Sequence, residues 1–142
     1  MTASIGEQIL EAIFTKFTAG ISTATSYRSR AAAVALQEGS VLILEPAEEP
    51  VEYKANTLAF RTFTIKVTIL ARGAVPDQVA DSVRVPMHAA LMSDPTLGGL
   101  SLRIAEEASE WTFEEADQTA VRLEVKYKIF YATPTGSLTV LA

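Results

Sequence analysis

Few residues in this sequence could carry out chemistry, and the first of them is the single histidine. His88 could serve as a general base or a metal ligand, but the chain holds no cysteine. No HExxH, GxSxG or glycine-rich phosphate motif occurs either, so a catalytic triad is not expected. We interpret His88 as a helix-surface or partly buried residue that makes one hydrogen bond.

A glycine pair and a run of carboxylates are the other two candidates. Gly98 and Gly99 could bind an anion through their backbone amides, but no helix start follows them, and a tight turn is favoured. The carboxylates of residues 106–117 could hold Mg²⁺ or Ca²⁺ or form an acid–base pair, yet their spacing fits no EF-hand loop. We interpret this run as a solvated face, with an electrostatic partner surface as the alternative. The sequence thus predicts no catalytic residue, no metal site, no cofactor and no enzyme activity.

Composition places the chain among folded globular proteins. Its 142 residues are 49% hydrophobic and 20% charged, which fits one domain with its own core. The net charge of −5 opposes tight binding to nucleic acid, and no apolar run reaches the roughly 18 residues that cross a bilayer. We expect a single domain, residues 1–142, in a soluble product, with residues 134–142 as an apolar C-terminal tail that can extend.

The elements that must position these residues begin with an amphipathic helix over residues 4–18. Ser4 and Glu7 have the spacing of a capping box, although Gly6 in the first turn disfavours a helix. Gly20 is predicted as the C′ residue that ends it.

A second helix is predicted to begin at Pro76, where the missing N–H of proline costs nothing. Pro86 lies inside this helix and should kink it, or divide it near Val85. The predicted buried stripe consists of Val79, Val83, Met87, Ala90 and Leu91.

Strands are predicted in three places between the two helices. Residues 21–30 form a loop or a short strand, residues 41–44 a strand buried on both faces, and residues 57–71 a long strand with a bulge near Arg61 or a protruding ribbon end. Between the last two lies an acidic, proline-bounded loop over residues 46–50 that leads to residues 51–53.

Residues 97–131 are predicted to form a β-hairpin, because apolar residues alternate with polar ones in two runs. The acidic link between the runs, residues 105–119, is predicted to project as a ribbon. The fold class is therefore α+β: a mixed, mostly antiparallel sheet of four to five strands with two α-helices packed on one face, in the order α-β-β-β-α-β-β.

Five features follow one another in this part of the chain: Ala80-Asp81, the segment DPTLGGL over residues 94–100, Trp111, Ala116-Asp117 and the final strand that ends at Tyr131. In this order they resemble the minor tail proteins of long-tailed bacteriophages and prophages, of the tail terminator or tail completion type. The resemblance covers residues 57–134 and, more loosely, the first helix and residues 28–46.

The resemblance implies a structural virion protein that forms a hexameric ring on the head-proximal end of the tail tube. Such a ring would stop tube polymerisation and present a surface to the head. The implied partners are further copies of the chain, the tail tube protein and the head–tail connector protein, in the virion after assembly in the bacterial cytoplasm. No membrane and no tightly bound nucleic acid are expected, although DNA would pass through the ring.

We expect assembly contacts at the sheet edges and in the loops over residues 31–50 and 105–119. The candidate residues are Tyr27, Arg28, Arg30, Glu48, Glu49, Glu106, Glu107, Glu110, Trp111, Glu114, Leu138, Val140 and Leu141. Two alternatives stay open: another head–tail connector or baseplate component, and a small-ligand or metal-binding module centred on His88 and the acidic link.

Overall fold

The structure, a computed structural model, describes residues 2–29, 39–114 and 120–142. Its elements in chain order are α1 (Ile5–Gly20), β1 (Thr25–Arg28), β2 (Val41–Glu48), β3 (Val51–Lys54), β4 (Leu58–Arg72), α2 (Pro76–Met92), β5 (Arg103–Glu114) and β6 (Ala120–Pro134). This confirms the α+β fold class. The described residues form six strands rather than four to five, since residues 25–28 pair as a strand.

One sheet contains all six of these strands, in the order β1-β2-β4-β6-β5, with β3 pairing to β4 outside this path. Only β1 and β2 run parallel. Strands β4 and β6 form the centre, and their register is continuous from Leu58↔Pro134 to Arg72↔Ala120. The predicted bulge near Arg61 is therefore wrong. The extra length of β4 is the ribbon end, which pairs with β3 through a turn at Ala55 and Asn56, both at positive φ.

The core lies between one face of this sheet and the two helices. Alternate residues of the central strands, among them Ile65, Ile69, Leu123 and Tyr127, are fully buried in one cluster with Phe17 and the stripe of α2. The opposite face carries mainly polar residues at the intervening positions, with Phe60 and Phe130 at one end, and, in the described part of the chain, no helix. The hydrophobic alternation of β4 and β6 thus decides which face the helices cover.

Helix α1 begins as the capping pattern predicts, but the positions of its two glycines, Gly6 and Gly20, do not follow from the helix ends. Ser4 Oγ accepts a hydrogen bond from the Glu7 N–H at 3.1 Å. A Cβ at Gly6 would lie 3.3 Å from the Tyr131 hydroxyl oxygen, so Gly6 allows α1 to approach β6. Gly20 is wrong as the C′ residue: the helix includes it, and the N–H of the capping residue Ile21 donates to the Phe17 carbonyl.

Helix α2 runs through Pro86 without being divided, so the predicted break near Val85 is wrong. Proline lacks the N–H that would bond to the carbonyl four residues earlier, which is that of Ser82. That carbonyl instead accepts a hydrogen bond from Thr23 Oγ1 at 3.0 Å. A residue preceding β1 therefore satisfies the acceptor that Pro86 leaves without a helical partner.

The turn that enters the hairpin is built around Asp94. Its carboxylate accepts hydrogen bonds from the N–H groups of Thr96 and Gly98, and the Gly99 N–H donates to the Thr96 carbonyl. The Thr96 hydroxyl also donates to the Asp94 carboxylate. This bond, followed by those from the two N–H groups, lowers the pKa of Asp94. Since the glycine amides are already engaged and both glycines have positive φ, the turn interpretation is confirmed.

Two predicted loops are largely strand. Residues 46–48 belong to β2, with a register shift between Pro46 and Glu48, so only residues 49–50 connect β2 to β3. The acidic link does not project as a separate ribbon, because it is paired with the core strand β6 as far as Glu114↔Ala120. Residues 115–119 lie outside the described residues.

Candidate assembly surface

The candidate residues at the β1 edge are built into the fold. The Arg28 guanidinium donates two hydrogen bonds to the Glu7 carboxylate, at 2.7 and 2.9 Å. This contact lowers the pKa of Glu7 and raises that of Arg28, and it ties α1 to β1. Tyr27 is half-buried on the same strand, and Arg30 lies outside the described residues.

Glu48 and Glu49 lie at the turn between β2 and β3. Glu48 is exposed, whereas the Glu49 carboxylate accepts a hydrogen bond from the Tyr131 hydroxyl. Burial first, and then the contact with Glu49, raises the pKa of Tyr131. Glu49 therefore stabilises a buried phenol, and of the two carboxylates Glu48 is the one available to a partner.

The first half of β5 is also engaged within the chain. Glu106 pairs with Arg84 at 3.4 Å, and Glu107 pairs with Lys128 at 3.8 Å. Arg84 donates a further hydrogen bond to the Ser109 hydroxyl at 2.8 Å, which joins α2 to the middle of the strand.

The second half of β5 is different, because its carboxylates form no ion pair with the described residues, although Arg122 and Lys126 lie diagonally from Glu110 on β6. Glu110 lies directly opposite Glu124 on β6, and like charges facing each other across a strand pair are destabilising. Within residues 2–29, 39–114 and 120–142, neither Glu110 nor Glu114 forms an ion pair. Because β5 ends the sheet among the described strands, no described strand pairs with the backbone groups of its outer edge.

A bulge decides what the second half of β5 presents to the helix side. The register shifts between Glu106 and Ala108, so Trp111 and Phe113 lie opposite Leu123 and Val121 on the face that the helices cover. Helix α2 does not reach over them fully, and Trp111 remains 38% exposed and Phe113 57% exposed.

These two rings line a groove with Asp77 and Asp81 of α2. Val85, 62% exposed on α2, lines the adjoining groove that Asp81 also borders. An exposed aromatic pair with acidic neighbours on an edge strand is typical of a contact surface.

A second notable surface lies at the opposite end of the same hairpin. A cleft of about 530 Å³ is bordered by Lys54, Phe60, Arg103 and Phe130. The Lys54 ammonium lies 4.8 Å from the centre of the Phe60 ring, and the Arg103 guanidinium 4.0 Å from that of Phe130. Glu52 is the single carboxylate among the residues that line it. The cleft is therefore basic and aromatic in an otherwise acidic chain.

The C-terminal residues are tied down by their backbone and exposed in their side chains. The Ile5 N–H donates to the Leu138 carbonyl at 2.8 Å, and the Ala142 N–H donates to the Ala132 carbonyl at 3.0 Å. The side chains of Leu138, Val140 and Leu141 are 56%, 54% and 37% exposed. The segment does not extend freely, because it folds back to the first turn of α1 and to β6.

His88 makes a hydrogen bond inside the chain. Its Nδ1 lies 2.7 Å from the hydroxyl of Tyr127, which is fully buried and also lies 3.6 Å from Met87 Sδ. Burial, together with the charge of Glu106, raises the pKa of Tyr127. No group of three or more potential ligands that could hold a metal ion occurs within the described ranges.

Of the candidate residues, the structure brings Glu110, Trp111 and Glu114 together on one edge and places the others elsewhere. Sequence reasoning missed Phe113 and the basic cleft. The alternation with Trp111 is a signal that could have identified Phe113, whereas the cleft joins β3, β4, β5 and β6 and has no local signal. Among the described helices, none is long and apolar enough to span a membrane. Comparison with protein-family models and with curated proteins gave no match.

Proposed function

We propose that this chain is a structural virion protein of the tail terminator type, which assembles into a ring that caps the tail tube. The observation that carries the proposal is the second half of β5: a sheet edge with exposed aromatic rings and unpaired carboxylates. A monomer gains little from exposing such a strand, because open edges and apolar patches promote association.

The ring ends tube growth by offering two unlike surfaces. One surface contacts the last tube ring as a further tube subunit would, and the other lacks the features that accept another subunit and faces the head. The net charge of −5 suits a channel through which DNA slides without binding. No residue of the chain is assigned a catalytic task in this proposal.

Light scattering coupled to size-exclusion chromatography, together with electron micrographs of the purified protein, tests the assembly. We expect rings with a central hole, and shorter tubes when the protein is added to polymerising tube subunits. A protein that stays monomeric and leaves tube length unchanged would refute the proposal.

A matched pair of variants locates the contact. Trp111→Ala combined with Phe113→Ser should abolish the rings, because both exposed rings are lost from the edge. Tyr53→Ser removes a side chain that is 60% exposed on β3 and should leave the rings intact. Thermal unfolding followed by circular dichroism checks that both variants stay folded.

Retention of particular virion proteins separates this function from the nearest alternative. A tail terminator should retain tube protein in a pull-down, whereas a baseplate component should retain baseplate proteins.

A further inference from the structure

We infer that neighbouring copies of this chain associate head to tail, with the second half of β5 of one copy in the basic cleft of the next. In this contact Glu110 and Glu114 reach Arg103 and Lys54 of the neighbouring copy. The inference rests on the proposed function, since it names the surfaces by which the ring would close.

Charge is the first argument for this pairing. Among the residues that the structure describes, Glu110, Glu114, Lys54 and Arg103 form no ion pair, and the two cations each lie over an aromatic ring. Glu110 also faces Glu124 across the strand pair. Arg122 pairs with Glu124, and a cation from a neighbouring copy would serve Glu110 in the same way. Complementary potentials of this kind set the register and the choice of partner at interfaces.

Spacing is the second argument. Phe60 pairs with Ala132, two residues from Phe130, so the two ring positions are diagonal neighbours about 7–8 Å apart. Lys54 reaches its ring from β3 and Arg103 from β5, and these two strands flank β4 and β6, about 14 Å apart at a spacing of about 4.8 Å per strand. Glu110 and Glu114 are separated by about 13 Å on an extended strand. The two separations are similar enough for the flexible side chains of glutamate, lysine and arginine to meet.

Position is the third argument, and it concerns symmetry. Arg103 pairs with Phe130 at one end of the hairpin, and Glu114 pairs with Ala120 at the other, so the two surfaces lie roughly 30 Å apart on one molecule. Two distant complementary surfaces produce a heterologous contact, which closes into a ring when the rotation allows. A two-fold dimer would instead bring β5 against β5.

Exposed apolar side chains add area at the cleft. Leu102 is 63% exposed there and Val51 36% exposed. Covering them removes apolar surface from water, which supplies association energy that ion pairs alone do not.

A charge swap between two variants tests the inference. In the variant K54E/R103E the cleft carries negative instead of positive charge and the strand is unchanged. In the variant E110K/E114K the strand carries positive instead of negative charge and the cleft is unchanged. We expect each variant alone to be monomeric, and an equimolar mixture to assemble, because both contacts in the mixture are again between opposite charges. T2K/E11K/A19K makes the same change in net charge as E110K/E114K on exposed positions outside both surfaces and should assemble like the unmodified chain.

Each outcome decides between the two proposals. Rings that form as well from K54E/R103E as from the unmodified chain would overturn this contact and leave the capping function standing, whether or not E110K/E114K loses its rings. Absence of assembly in the unmodified chain would overturn the proposed function itself. Restored assembly in the mixture also shows that both variants are folded.

Discussion

Replacing Thr23 by valine should destabilise the protein through a helix that Thr23 does not belong to. The Thr23 hydroxyl donates to the Ser82 carbonyl at 3.0 Å, and Pro86 cannot supply the helical N–H that this carbonyl would otherwise receive. Valine keeps the shape of the side chain and removes the donor. The free energy of unfolding should therefore fall by the contribution of one hydrogen bond.

The expected magnitude follows from the exposure of the site. A typical intramolecular hydrogen bond contributes about 0.5–1.5 kcal/mol, and Thr23 is exposed, so water can replace part of it. We expect a loss of about 0.5–1 kcal/mol, which corresponds to a fall of about 4 °C or less in Tm for a chain of this size.

A double-mutant cycle with Pro86→Ala isolates the cause. Alanine restores the N–H at position 86, so the Ser82 carbonyl regains a partner within the helix, and Thr23→Val should then cost close to nothing. Urea unfolding followed by circular dichroism measures all four proteins. Equal losses from Thr23→Val in both backgrounds would show that the hydroxyl does not compensate for the proline.

Two further predictions concern the first turn of α1. Glu7→Gln should lower the free energy of unfolding by up to about 1 kcal/mol at pH 7. Because Arg28 holds the pKa of Glu7 below its usual 4.5, this difference is full above pH 4.5 and should shrink as pH falls through the lowered value; a difference that stays constant down to pH 2 would contradict the assignment. Gly6→Ala should gain less than the about 1 kcal/mol of helix propensity, since its Cβ would lie 3.3 Å from the Tyr131 hydroxyl. In a Tyr131→Phe background, which lacks that hydroxyl, Gly6→Ala should stabilise the protein more. Thermal unfolding of all four proteins measures this, and additive effects of the two substitutions would contradict it.

The parts of the fold that the sequence predicts are those with a local, periodic signal. β4 and β6 alternate over fifteen residues each, and α1 and α2 carry continuous apolar stripes, so their type and approximate ends could be predicted. β1 could not be assigned, because its four residues are mainly polar and its partner β2 begins thirteen positions after Arg28. Its pairing is parallel and non-local, which no short window reveals.

The candidate site was predictable only in part for a similar reason. Trp111 and the carboxylates around it stand out by residue type, but whether each is engaged depends on partners far away in sequence. Arg84 on α2 pairs with Glu106, whereas Glu110 lies directly opposite Glu124. The same distance effect explains Pro86, whose missing donor is replaced by Thr23, 59 residues before the acceptor Ser82.

Strand β5 contains one extra residue, Glu107, which has no partner on β6, so the alternation of its side chains between the two faces shifts by one position there. Before the shift, Ile104 faces the helices, and after it Trp111 and Phe113 do, although an odd number of positions separates them from Ile104. Deleting Glu107 would therefore remove the bulge and leave Trp111 and Phe113 on the helix side, because Ala108 would follow Glu106 directly and still pair with Lys126. Deleting Ser109, which lies beyond the bulge, would instead turn both rings to the opposite face, and should therefore destabilise the protein more than loss of Glu107.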